Sequence, residues 1–136
     1  MIKPIMKSEF FLRLPSEDAG PDDAATGQDL LDTLNEHEHE CVGLAANMIG
    51  VRKRIICVKD GNRALLMYNP QILQQVNSYQ TSEGCLSLAG ERPCTRYRRI
   101  KVEYLDENFV HRIKNFSGYT AEIIQHEIDH CNGIVI

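Results

Sequence analysis

Apolar residues change their spacing twice along this chain. Between Pro21 and His37, Leu30, Leu31 and Leu34 recur at helical intervals, and Pro21-Asp22-Asp23 supplies the proline and acidic residues that suit a first turn. The pattern predicts a helix here, closing near His37, after a polar loop at residues 14–27. From Arg54 the period shortens. IICV (55–58), ALLMY (64–68) and ILQQV (72–76) are short β-prone runs, with DGN and NP between them reading as turns. IKVEYL (100–105), DEN and FVHRI (109–113) read as a hairpin. Helical spacing returns in SGYTAEIIQHEIDHCNG, with Ser117 or Thr120 as candidate N-caps and Asn132-Gly133 as the stop. One N-terminal helix, several strands and a closing helix predict an α+β fold, with short antiparallel strands around the C-terminal helix. At 136 residues, a single domain over 1–136 is expected.

Composition narrows the function classes. The chain is 43% apolar and 25% charged, ordinary for a soluble globular protein, with a net charge of −4. That balance gives no electrostatic footprint for DNA. No apolar run approaches the ~20 residues of a membrane span. Lys7, Glu9 and Arg13 interrupt the N-terminal MIKPIMKSEFFLRLP, so it does not read as a signal peptide. A cytoplasmic monomer is the default expectation. The 5 cysteines are odd in number and form no C-x-x-C pair, which favours free thiols over disulfides or a zinc ribbon.

Chemistry is concentrated in the last helix. His126-Glu127-Ile128-Asp129-His130 is an H-E-x-x-H pattern. On a helix, positions i and i+4 share one face about 6 Å apart, so the two imidazoles can converge on one ion. Glu127 lies to one side, able to act as a general base toward an activated water. The pattern also occurs in helices that hold no metal. A zinc hydrolase needs a third protein ligand, yet the residues after His130 include no His, Asp or Glu, and the place of the third metzincin histidine holds Ile136. An upstream ligand is required. Cys85, in TSEGCLSLAG, is a candidate, because a Cys–His–His set suits zinc or another divalent transition metal. A cysteine between strands also has the simpler role of core packing. EHEHE (36–40) reads as a solvated helix end, since His37 and His39 point to opposite sides.

GLAANMIG (43–50), EGCLS (83–87) and QHEIDH (125–130) occur in that order and together resemble the three signatures of the peptide deformylase family. Tyr68-Asn69-Pro70 and the run from Arg96 to Val102 resemble the stretches joining them. The resemblance implies a hydrolase of protein biosynthesis that removes the formyl group from N-formyl-methionyl peptides. By resemblance, Cys85, His126 and His130 would hold one divalent metal, Fe(II) in the family, with Zn or Ni also suited to the ligands. Glu127 would be the acid/base, and the backbone N–H of Leu86 would donate to the oxyanion. Val42, Gly43, Met48 and Ile123 would contact substrate, Ile123 in the pocket for the methionine side chain.

Two departures matter. Met48 stands where the family has a Gln whose amide donates to the oxyanion, and a thioether has no proton to give. Asn47 could replace it only if the backbone bends. A reduced rate is expected; the alternative is a deformylase-like protein that binds peptide N-termini with weak or no turnover. No C-terminal tail follows the helix, which puts any transient ribosome contact in doubt. Arg92, Arg96, Arg98 and Arg99 read as solvated strand surface, with a pairing of Arg96 to Glu83 as a further expectation.

Overall fold

IICV lies at the centre of the molecule with both faces covered. The computed structural model describes residues 1–136. In β2 (Ile55–Asp60), Ile55 and Cys57 join a core cluster with Leu30 and Leu34 of α2 (Ala24–Glu36). Ile56 and Val58 join a second cluster with Ile124 and Ile128 of α3 (Gly118–Cys131). A strand buried on both faces carries a continuous apolar run rather than an alternating one. Each such aliphatic side chain contributes about 1.5–3 kcal/mol by its burial.

The sheet is antiparallel throughout, in the order β1-β2-β3-β4-β5, with β1 at Gly43–Ala45, β3 at Arg63–Gly84, β4 at Glu91–Leu105 and β5 at His111–Ser117. The expected α+β architecture is present, with α3 packed on the sheet as its closing element. The DGN turn is present too, with Gly61 at φ 64°. The NP turn is not. ALLMY and ILQQV belong to one strand, β3, which runs through Asn69-Pro70 with register shifts between Tyr68 and Gln71 and between Ile72 and Gln74. Proline cannot donate to the ladder, and it falls where the pairing skips. Asn69, at φ 53°, exchanges two hydrogen bonds with the backbone of Ala19, at 2.7 and 2.9 Å, so the irregularity anchors the N-terminal loop.

A helix that the apolar spacing did not predict, α1 (Glu9–Leu12), is capped by Ser8, whose hydroxyl accepts the Phe11 N–H at 3.2 Å. Helix α3 begins after Ser117, but that side chain makes no capping bond, and Thr120 donates to Asp60 instead, at 3.1 Å. At the other end Gly133, at φ 76°, leaves no room for a side chain, because a Cβ there would run into the Arg13 carbonyl. No helix is long and apolar enough to cross a membrane.

Candidate active site

One cleft of about 870 Å³ collects most of the residues singled out by their chemistry. Val42 and Gly43, at the start of β1, form one wall with Met48. Cys85 and Leu86, on the loop between β3 and β4, form the other. Ile123, His126 and Glu127 of α3 make the floor, and His130 lies fully buried one turn beyond.

The two histidines face each other. Nε2 of His126 and Nε2 of His130 are 3.1 Å apart, a separation that two imidazole lone pairs tolerate only with a proton or a cation to share. His126 Nδ1 donates to Glu83 Oε1 at 2.8 Å, which fixes the ring and turns Nε2 inward. Burial alone would lower the His126 pKa, but the bond to Glu83 and the charge of Glu127 outweigh it and raise it. His130 is pushed down to about 3 by burial and by His126, so it stays neutral with a free lone pair. The ligand atoms of His126, Glu127 and His130 lie within 4.8 Å of one another. Glu127 Oε1 and His130 Nδ1 are buried without a partner. This donor set fits a divalent ion: two imidazoles, one of them unable to take a proton, beside an unsatisfied carboxylate.

Behind the histidines is a buried charge network. Arg96, only 4% exposed, holds Glu83 through Nε at 3.1 Å and Nη2 at 2.7 Å, and Asp129 through Nη1 at 2.7 Å. Its pairing with Glu83 is present, whereas its expected place on a solvated surface is not. The two carboxylates supply enough compensation to take a guanidinium out of water. Burial would raise the Glu83 pKa, but the bonds to His126 and Arg96 hold it well below the usual carboxylate range. Gln125 pins α3 to β4 by accepting the Tyr97 N–H and donating to the Tyr97 carbonyl, both at 2.8 Å. Neither Asp129 nor Gln125 was singled out from sequence, although both lie within QHEIDH; their partners on β4 are distant in the chain.

Burial pushes the Glu127 carboxyl up to about 7. That puts it near the value at which a group can both take and return a proton at neutral pH. Gly43 is required beside it. A Cβ there would stand 2.7 Å from Ile123 Cγ2 and 3.0 Å from Glu127 Oε2, so only a bare backbone fits between β1 and α3.

The Cys85 thiol is not part of the histidine and glutamate cluster. It sits half-buried at the head of the loop, directly after the last β3–β4 pair, Gly84 with Glu91. Met48 belongs to a 3-10 turn, Ala46–Ile49, rather than a strand. Its Sδ accepts the Ala45 N–H at 3.5 Å. Asn47 points away, its amide donating to the His130 carbonyl at 2.9 Å and the Leu12 carbonyl at 3.5 Å. The bend needed for Asn47 to replace the missing donor exists, but the amide is spent on structure. In EHEHE, His37 pairs with Glu40 at 2.7 Å and His39 is 93% exposed.

Comparison with known proteins gives a consistent result. A sequence profile described as polypeptide deformylase matches residues 7–136. A peptide deformylase of Clostridium beijerinckii is 52% identical over 136 residues, covering 100% of both chains. Peptide deformylase 1 of Clostridium perfringens is 37% identical over 79% of this chain and 74% of its own length. Among solved structures, a peptide deformylase from Acinetobacter baumannii bound to Met-Ala-Ser superposes with a TM-score of 0.89 at 28% identity, covering 99% of this chain and 97% of that one. The Thermotoga maritima peptide deformylase gives 0.89 at 28% identity, over 99% and 95%.

Proposed function

Because the chain belongs to the peptide deformylase family, hydrolases that use a single divalent metal, we propose that it removes the formyl group from N-formyl-methionyl peptides in the cytoplasm, releasing formate and a free amino terminus. The observation that carries this reading is the facing pair of Nε2 atoms, 3.1 Å apart, with His126 on the floor of the cleft and His130 buried behind it. His126, His130 and Cys85 would hold the metal, with Fe(II) the preferred ion and Zn or Ni alternatives. When bound, the ion would supply Lewis acidity toward the formyl carbonyl and the attacking water.

The chain's own groups do the rest. Glu127, with its pKa pushed up to about 7, takes the proton of the attacking water and returns it to the leaving amine, so that the C–N bond breaks with a neutral product. Leu86 donates its backbone N–H to the oxyanion of the tetrahedral intermediate. The free edge of β1 at Val42 and Gly43 pairs with the peptide backbone, and Ile123 contacts the methionine side chain. Glu83 holds His126 in the tautomer that leaves Nε2 bare.

Met48 gives the oxyanion wall no donor, and its sulfur is already engaged by Ala45. The rate is therefore reduced relative to a glutamine-bearing site. The same observation supports the second reading, a protein that binds peptide N-termini with weak turnover.

Formate release from formyl-Met-Ala-Ser separates the two readings. Anaerobically prepared protein loaded with Fe(II), Ni or Zn is compared with metal-stripped protein. Turnover that appears on loading supports the hydrolase; saturable binding of the peptide with no formate under full loading supports the binding protein.

A further inference from the structure

The loop from Cys85 to Gly90 carries both the proposed third ligand and the proposed oxyanion donor, yet it has no regular structure. Its ends are fixed by the β3–β4 pairs, and Gly90 turns the chain at φ 83°. Between those ends a single side chain bonds to its backbone: Lys7 Nζ donates to the Leu86 carbonyl at 2.7 Å. The residue before it, Met6, donates its N–H to the Met48 carbonyl at 2.7 Å. Two consecutive residues near the chain's start thus touch both walls of the cleft. Glu9, two residues on, lies 3.9 Å from Arg92 at the far side of the same loop.

We propose that Lys7 is a positioning residue for the deformylation reaction, bracing Leu86 against the Met48 wall. The inference rests on the proposed function and extends it to a residue outside the three signatures. The physical argument is local. A carbonyl held by an ammonium group orients the Leu86–Ser87 peptide unit, and through the Leu86 Cα it limits the swing of the preceding unit, which carries the Leu86 N–H. A site whose Met48 offers no proton depends more heavily on the aim of its remaining backbone donor. Met6 makes the brace rigid, because the Lys7 backbone cannot drift while its neighbour is bonded to Met48.

The test compares Lys7→Met and Lys7→Arg in two measurements. NMR order parameters of the backbone amides in the metal-free protein read the loop directly. Lys7→Met should lower them across residues 85–90, from near the rigid range of about 0.85 toward about 0.6, while the α3 amides are unchanged. Steady-state turnover of formyl-Met-Ala-Ser by loaded protein reads the chemistry. Lys7→Met should lower kcat roughly ten- to a hundredfold with little change in KM, as expected for a misaimed group, and Lys7→Arg should recover most of it. Unchanged order parameters, or a kcat equal to that of an active wild type, overturns the proposal. Lowered order parameters in Lys7→Met that are restored in Lys7→Arg support the brace even if no protein releases formate, a result that would overturn the proposed function instead.

Discussion

Replacing Met48 by Gln should accelerate this protein, and the structure says why the change is accommodated. Met48 is 1% exposed and lines the cleft, so the new side chain has a fixed environment. Its sulfur accepts the Ala45 N–H at 3.5 Å. Glutamine is close to methionine in length and volume and carries both an acceptor and a donor. Its carbonyl oxygen can take over the Ala45 N–H, which leaves the amide nitrogen free to donate into the cleft. A preorganised donor of this kind is worth on the order of 100- to 1000-fold in turnover. The cost falls on stability, because a buried amide without substrate lacks one partner, at about 1–3 kcal/mol. The expected result is a kcat raised roughly tenfold or more with KM little changed, together with a lower Tm. The assay is formate release at saturating formyl-Met-Ala-Ser, with a thermal melt of each metal-loaded protein. A folded Met48→Gln protein whose kcat matches wild type would refute the reasoning, since the wall at position 48 would then not face the oxyanion.

Other expectations follow from the same geometry. Glu83→Gln leaves Arg96 short of one buried counter-charge, and it should cost about 3–5 kcal/mol and lower metal content, read by thermal melts and metal analysis. Exchanging the charges, with Glu83→Arg and Arg96→Glu together, should not restore either property, because the new arginine would face His126 and the new glutamate Asp129. Gly43→Ala should reduce kcat more than about tenfold in a folded protein, since its Cβ would displace both Ile123 and Glu127. In the metal-free protein, Glu127 holds its proton more tightly folded than unfolded, with its pKa raised from 4.5 to about 7. Its contribution to stability is therefore full below pH 4.5 and declines as the pH rises to about 7, a slope that Glu127→Gln should abolish in pH-dependent melts.

The parts of this molecule legible in its sequence are those whose signal is local. The closing helix announces itself through apolar spacing and the Asn132-Gly133 stop, and the two histidines follow from i, i+4 geometry. The pairing of Arg96 with Glu83 was anticipated, but not its depth, because burial of an arginine depends on Asp129 from another element. Asn69-Pro70 misleads as a turn signal: the chain keeps its strand direction, and the bulge is stabilised by Ala19 from a distant loop. Helix α1 is one turn long, too short for periodicity to register. Lys7 gave no signal at all, since a lone lysine ahead of a helix differs from a solvated one only in the tertiary partner it meets. Asn47 shows the same limit. Whether its amide faced the cleft was open in sequence, and the 3-10 turn at Ala46–Ile49 directs it to the His130 carbonyl.

The central claim is that Glu127 moves the proton in a metal-dependent deformylation. Its most direct test is formate release from formyl-Met-Ala-Ser by wild type and Glu127→Gln at equal, measured Fe(II) content. The account predicts that the variant keeps its metal and its fold while turnover falls at least on the order of a hundredfold, the range typical of a lost general base. Turnover within a few-fold of wild type, at full metal content, would contradict it.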